Sequence, residues 1–387
     1  LVPCIFGIAA IPISWWFAKE LTGKNFVGII TALLMTVSIF QIEQSQTARM
    51  YTITGIWFML MVIFFFRAYR DNKDIDWYIA TLFAVLLIFT WYYSVIPIGI
   101  TILWYFLREG KKPLKNKAFL YSAIAFIFAG ILMVPSFLSA VAMKSTENNN
   151  LVYLGVNVIY QVGITFLGSP PILAGFIAII AFVGWVLLFN DNETIGGYFG
   201  LQILISLTFG ALISYLLMIL PRYFFYIGGP IFYTLIGYFI YRVLKSTKIE
   251  WKGAIAAGFI LLLVVGSFCL VLPEYYSVQH NYSGEFNTVH DTFAEIKGNA
   301  TEVAMVGNPA YVFLYQYYIK DPSINVVRFD NLTRLQDIIK GKPSLVLIPD
   351  YAIPTDQPEA KVIYDWLQLN SKFKVIYRGF AVYEVNP

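Results

Sequence analysis

Glu43, Gln44, Gln46, Arg49 and Tyr51 fall within the nine residues EQSQTARMY, between two apolar runs. Charged groups at the edge of hydrocarbon are costly, so such a cluster marks a functional site. Arginine recognises phosphate through a planar fork of donors, and the phosphate of a lipid lies near this depth. On a helix entering a membrane, residues 46, 49 and 50 share one face. Gln46 and Arg49 are therefore expected to point into one cavity, with Tyr51 beside them. The plainer reading is one arginine snorkelling to the interface. Arg222, in Pro221-Arg222-Tyr223, is a second candidate phosphate contact, with the same plainer reading. Gly228-Gly229-Pro230 follows it, and glycine and proline within a span often line a cavity. Acid–base work on a transferred group needs a carboxylate. On the side of the membrane that carries Arg49, the loops offer only Glu43 and Glu147. Glu147 lies in KSTENNN, which reads as a loop, so Glu43 is the candidate acid and has no catalytic partner. His280 and His290 lie in a polar linker and do not by themselves make a metal site, and no metal ligands are assigned. No GxSxG, HExxH, Walker or CxxC pattern occurs.

The elements that position these residues are membrane helices. The chain is 58% hydrophobic and 13% charged, with mean hydropathy +0.67, where a soluble domain carries about 25% charge. Spans are expected at 1–18, 25–41, 52–69, 77–92, 94–107, 118–140, 171–189, 198–218, 223–243 and 253–272. The division at Trp91-Tyr92-Tyr93 has an alternative, one bent span over 77–107. Residues 1–272 carry 17 Lys and Arg against 10 Asp and Glu, and residues 273–387 carry 10 against 13. That split describes a membrane part with a soluble tail and does not point to nucleic acid. With ten spans, alternate loops hold 14 basic residues and the opposite loops hold only Arg49, Lys144 and Arg222. The positive-inside rule makes the first set cytoplasmic. Glu43, Arg49, Arg222 and the tail then face outward, and an earlier span is expected before Leu1. Cys4 and Cys269 lie in apolar runs and read as small core residues.

From 273 the pattern changes. Strands are expected at 301–307, 324–329, 344–350, 373–379 and 380–385, with helices near 309–319, 332–340 and 358–370. This describes a small α/β domain over 273–387 with a mostly parallel sheet and a final hairpin at its edge. The fold class is thus a polytopic α-helical membrane protein with a C-terminal extracytoplasmic α/β domain. Sequons at Asn281, Asn299 and Asn331 fit an external tail, as does chance.

SIFQIEQSQTARMYTITGIWFML resembles the second external loop and following span of polyprenyl-phosphate-dependent glycosyltransferases of the C-type membrane fold. That superfamily includes protein O-mannosyltransferases and the aminoarabinose transferase of lipid A. The string from Ser45 to Tyr51, the lead-in GIITALLMTVS and the later LPRYFFYIGGP carry the resemblance over most of the membrane part. It implies a multi-pass enzyme of the cell membrane that takes a mannose-like hexose, or a similar sugar, from a polyprenyl- or dolichyl-phosphate donor with inversion. The acceptor would be a protein, lipid or glycan on the outer face. Arg49 and Arg222 would hold the donor phosphate, and Gln46, Tyr51, Tyr92 and Tyr223 would line the cavity. The family's catalytic aspartate lies before the segment matched by Leu1 onward. Trp91 stands where many relatives carry histidine, which leaves metal assistance open, and a divalent metal ion is the one cofactor to consider.

Other readings remain. A transporter or lipid flippase would also need an outward polar cavity, although the two halves show no repeat and no charge lies in mid-span. The oligosaccharyltransferase catalytic subunit shares the architecture, but its Trp-Trp-Asp-Tyr-Gly signature is missing, since Trp15-Trp16 is followed by Phe17. A non-catalytic membrane protein is the last alternative.

Overall fold

The computed structural model describes residues 2–46, 50–142, 171–217, 222–246, 250–287, 293, 296–306, 323–349, 358–377 and 380–385. The chain divides into two compact units, Leu1–Tyr275 and Tyr276–Pro387.

The first unit is helical. Its described helices are α1 (Val2–Thr22), α2 (Asn25–Val37), α3 (Ile39–Gln46), α4 (Tyr51–Asp71), α5 (Asp74–Thr90) and α6 (Val95–Glu109). They continue with α7 (Lys117–Ala142), α8 (Pro171–Asp191), α9 (Glu193–Leu217), α10 (Arg222–Ser246) and α11 (Glu250–Asn287). Among the described residues, α1, α4, α7, α8 and α11 each hold a stretch long and apolar enough to cross a membrane. The bent pair α2–α3 makes six if it counts as one span. The unit is a multi-pass membrane bundle. Its central helix is α4, with 72% of its apolar stretch buried against protein, compared with 22% for α7. Helix α7 instead turns Ile124, Ile127, Phe128 and Ile131 outward, as a lipid-facing helix does.

The helical unit differs from the sequence reading in three places. The expected span 25–41 is two helices, bent by 61° at Ser38. The helix over 253–272 continues to Asn287. Helices α5 and α6, at 17 and 15 residues, are short of the ~20 of an ordinary span, as the expected ranges 77–92 and 94–107 are. Cys4 and Cys269 are exposed rather than in the core, because an apolar position on a membrane helix can face lipid as well as protein.

Helices α5 and α6 fold back on one another. Trp77 at the start of α5 lies 5.3 Å, ring to ring, from Tyr105 near the end of α6. Phe119 at the start of α7 packs at 5.4 Å on Trp77 and 5.3 Å on Tyr105. The pair is a hairpin turning at 91–94, not one bent rod.

One end of the bundle gathers the basic loops. Arg70 donates to Glu20 at 2.7 Å, and Tyr69 donates to Glu109 at 2.9 Å. Arg108 donates to Glu193 at 3.0 Å, and Arg242 pairs with Asp191. Lys24 sits over the Tyr241 ring at 5.7 Å. Surface pairs such as these contribute little energy. They do establish that the loops at 19–24, 67–73, 108–117, 190–193 and 242–246 lie together.

The second unit holds a five-stranded sheet, β1 (Glu302–Val306), β2 (Asn325–Phe329), β3 (Ser344–Pro349), β4 (Lys372–Tyr377) and β5 (Phe380–Val385), in the order β2-β1-β3-β5-β4. Strands β2, β1 and β3 are parallel, while β5 runs antiparallel to both β3 and β4. The sheet is therefore mixed rather than mostly parallel. The two residues between β4 and β5 are too few for a crossover, so β5 must turn back. It fills the place between β3 and β4 and leaves β4 at the edge. Side-chain alternation divides the core. Val303, Met305, Leu345 and Leu347 line one face, and Ala304, Val346 and Ile348 line the other. That second face is covered by α12 (Leu332–Ile339) and α13 (Pro358–Asn370), through Leu335, Ile339, Ile363 and Leu367. The helix expected near 309–319 lies outside the described residues.

Candidate functional site

The elements that carry the described site residues place them at the end of the bundle remote from the basic loops. Helix α4 runs from Tyr51 to Arg70, and Arg70 is at the basic end. Helix α10 likewise runs from Arg222 to the Arg242 end. Glu43 lies on α3, which joins α4 at their remote ends.

Ser38 makes this corner. Its backbone is extended, with φ −68° and ψ 117°, which stops α2. Its Oγ accepts from the Gln41 backbone N–H at 3.4 Å, and its carbonyl accepts from Ile42 N–H at 3.0 Å, so it caps α3. Tyr233 of α10 donates to the same Oγ at 2.7 Å. Both side chains are fully buried. The bend thus has a cause in two hydrogen bonds, and it redirects α3 so that Glu43 and Gln44 leave the axis of α2. Helix α3 is held from two further sides. Thr52 of α4 donates to the Gln44 carbonyl at 3.1 Å. Cys4 of α1 donates to the Ser45 carbonyl at 3.1 Å. A Cβ on Gly7 would come within 2.5 Å of Ser45 Cβ, so α1 and α3 touch only because Gly7 has no side chain.

The turn between α5 and α6 closes the corner. Trp91 packs edge-on to Tyr51 at 6.3 Å and against Tyr93 at 5.6 Å. All three rings are buried. The buried Ser94 Oγ has no hydrogen-bond partner among the described residues, so a polar atom remains available inside this turn.

The individual residues are distributed as follows. Glu43 is half-buried on α3 and is not a free carboxylate. Gln46 is the last residue of α3, and Met50 precedes α4. The shared helical face expected for 46, 49 and 50 cannot be followed, because residues 47–49 lie outside the described residues. Arg49 lies outside the described residues. Tyr51 opens α4 as a buried ring, and Tyr92 opens the short 3-10 turn Tyr92–Ser94. Arg222 and Tyr223 open α10, eleven and ten residues before Tyr233, or about 16 Å along the axis. The side chains of Gln46, Tyr92, Arg222 and Tyr223 lie outside the described set, as does Glu147. Among the described residues no three His, Cys, Asp or Glu side chains converge.

Sequence reasoning missed Ser38 and Tyr233. The signal was present, because Ser38-Ile39-Phe40-Gln41 is the S-x-x-Q start of a capped helix inside an apolar run. It also missed a polar knot deeper in the bundle. Gln202 of α9 donates to the Pro97 carbonyl at 3.0 Å, to Thr101 Oγ1 at 3.1 Å and to Tyr198 Oη at 2.9 Å. Pro97 has no N–H of its own, and this knot ties its turn to α9.

No family model matches the chain, and no curated protein matches its sequence. Its structure is similar to the crystal structure of ArnT from Cupriavidus metallidurans in the apo state. The TM-score is 0.58 over the whole of this chain and 84% of that one, at 11% identity. The likeness is one of fold.

Proposed function

We propose that the chain is an integral-membrane glycosyltransferase that takes a sugar from a polyprenyl-phosphate donor and passes it to an acceptor on the outer face. The observation that carries the reading is the Ser38 corner. It takes a carboxylate and three glutamines off the axis of a membrane helix, at the end remote from the basic loops, in a fold like that of ArnT. In this reading Arg49 and Arg222 hold the donor phosphate by charge-assisted hydrogen bonds. Gln46, Tyr51, Tyr92 and Tyr223 belong to the walls around it. Glu43 is the acid contributed by this chain, and a divalent metal ion is compatible with the donor's phosphate. The basic loops are cytoplasmic by the positive-inside rule, and the Tyr276–Pro387 unit is external. The acceptor is a protein, a lipid or a glycan.

The test is transfer from radiolabelled polyprenyl-phosphate sugars by the intact gene product in membranes. Label should leave the lipid, and Arg49→Ala should abolish its release while the protein still purifies as one species. Full activity in Arg49→Ala would overturn the assignment of the phosphate site. A lipid flippase or transporter is the second reading, favoured by the broken helix at Ser38. Substrate accumulation in proteoliposomes with the sugar bond intact would favour it.

A further inference from the structure

A hollow of about 650 Å³ lies at the basic end, between the α4–α5 and α6–α7 connections. Its charged wall residues are Arg70, Lys112 and Lys115 against Asp74 and Glu109, with Tyr69, Asn72, Tyr105 and Asn116 between them. The two connections, residues 67–76 and 108–117, together carry eight Lys and Arg against four Asp and Glu. Two of those acids are already matched. Glu109 accepts from Lys112 at 2.6 Å and from Tyr69, and Asp71 accepts from Arg70 at 2.8 Å. Lys115 has no ion pair among the described residues. The hydrogen bond to Glu109 raises the Lys112 pKa, so that ammonium stays charged.

The surface near the hollow combines apolar and basic side chains. Ile75 and Tyr78 of α5, Leu107 of α6 and Tyr121 of α7, on the helices that the two connections join, are exposed, as residues in contact with lipid are. Leu114 sits between Lys112 and Lys115 in the 3-10 turn Lys112–Lys115 and is 53% exposed. An exposed leucine inside a lysine-rich turn suits a membrane interface, with the side chain in the acyl region and the ammonium groups among phosphates.

We infer that this hollow is a binding site for the phosphodiester headgroup of an anionic phospholipid, held by Lys115, Lys112 and Arg70 with Leu114 against the acyl chain. It is separate from the Ser38 corner, which lies at the other end of the bundle, and it does not depend on the proposed transfer reaction.

The experiment is lipid retention by the full-length protein, delipidated in detergent and returned to nanodiscs of phosphatidylglycerol, phosphatidylethanolamine or phosphatidylcholine. Bound lipid is counted by native mass spectrometry. Phosphatidylglycerol should be retained preferentially, and retention should fall as salt rises. Lys115→Gln should weaken it by about fivefold, a basic residue near an anionic surface contributing on that order. The double variant Lys112→Gln/Lys115→Gln should weaken it further, with the thermal midpoint of each variant recorded as the folding control. Equal retention of the three lipids, or of phosphatidylglycerol by wild type and Lys115→Gln, would overturn the site. Displacement of the lipid by millimolar inorganic phosphate would overturn the lipid as occupant and assign the hollow to free phosphate. If the variants do not fold, the salt dependence and headgroup ranking of the wild-type protein decide the matter alone.

Discussion

At the scale of single residues, Ser38 and Tyr233 show how one hydroxyl decides a backbone path. Ser38 Oγ is shared between the Gln41 N–H and the Tyr233 hydroxyl. Tyr233→Phe removes one bond and leaves the cap, so it should cost about 1 kcal/mol. Ser38→Ala removes both and leaves a buried phenol without its Ser38 acceptor. It should cost more, by about 1–3 kcal/mol, and lower any transfer activity by moving α3. Thermal melts in detergent, read beside the donor-consumption assay, check the order of the two. Gln202 is the other residue with leverage. Gln202→Leu deprives the Pro97 carbonyl, Thr101 and Tyr198 of a donor at once. It should destabilise the bundle by about 1–3 kcal/mol without altering the donor affinity of folded protein. A lost donor affinity with unchanged stability would move Gln202 into the site.

Elements meet in this bundle where glycine lets backbones approach. A Cβ on Gly184 of α8 would lie 2.1 Å from the Leu235 carbonyl oxygen of α10, and one on Gly28 of α2 would lie 2.7 Å from that of Trp15 in α1. Neither neighbour is a side-chain end that could turn aside. Gly184→Ala should therefore separate α8 from α10 and cost about 1–3 kcal/mol, as overpacking does. A lower melting midpoint in a folded, monodisperse sample is the expected reading. Such contacts are not visible as a pattern in the sequence, because a glycine in a hydrophobic run looks the same whether it faces lipid or a partner helix. Gly130 and Gly175, with open space beside them, are examples of the former geometry.

For the whole molecule, the siding of loops is one binary choice, since side-chain contacts link the basic loops at one end. With Cys4 and Cys269 replaced by serine, Lys111→Cys and Lys340→Cys should label from opposite sides with a membrane-impermeant maleimide. Only Lys340→Cys should react in intact cells. Labelling of both from the same side would contradict an external C-terminal unit. The two units should also separate by stability. The sheet unit has cores on both faces, so Tyr276–Pro387 made alone should show a cooperative unfolding transition that Leu345→Ala lowers by about 2–5 kcal/mol.

Composition alone determined a membrane bundle followed by a soluble α/β tail, because an apolar run near ~20 residues and a run of alternating Val and Ile have few other stable destinations. The sequence likewise placed helices in the membrane part and the five strands close to their observed ranges, and its basic loops divided between two sides by charge. It marked Glu43, Gln46 and Arg49 as costly polar groups, but it read 25–41 as one span. Tertiary structure decided otherwise, because the hydroxyl that stabilises the 61° bend at Ser38 is partnered by Tyr233, 195 positions away. It also decided the fold-back of α5 on α6 and the insertion of β5 between β3 and β4. The reason is common to all three. Periodicity and charge report what a segment needs from its surroundings, whereas a bend, a hairpin or a strand order depends on which distant segment meets that need.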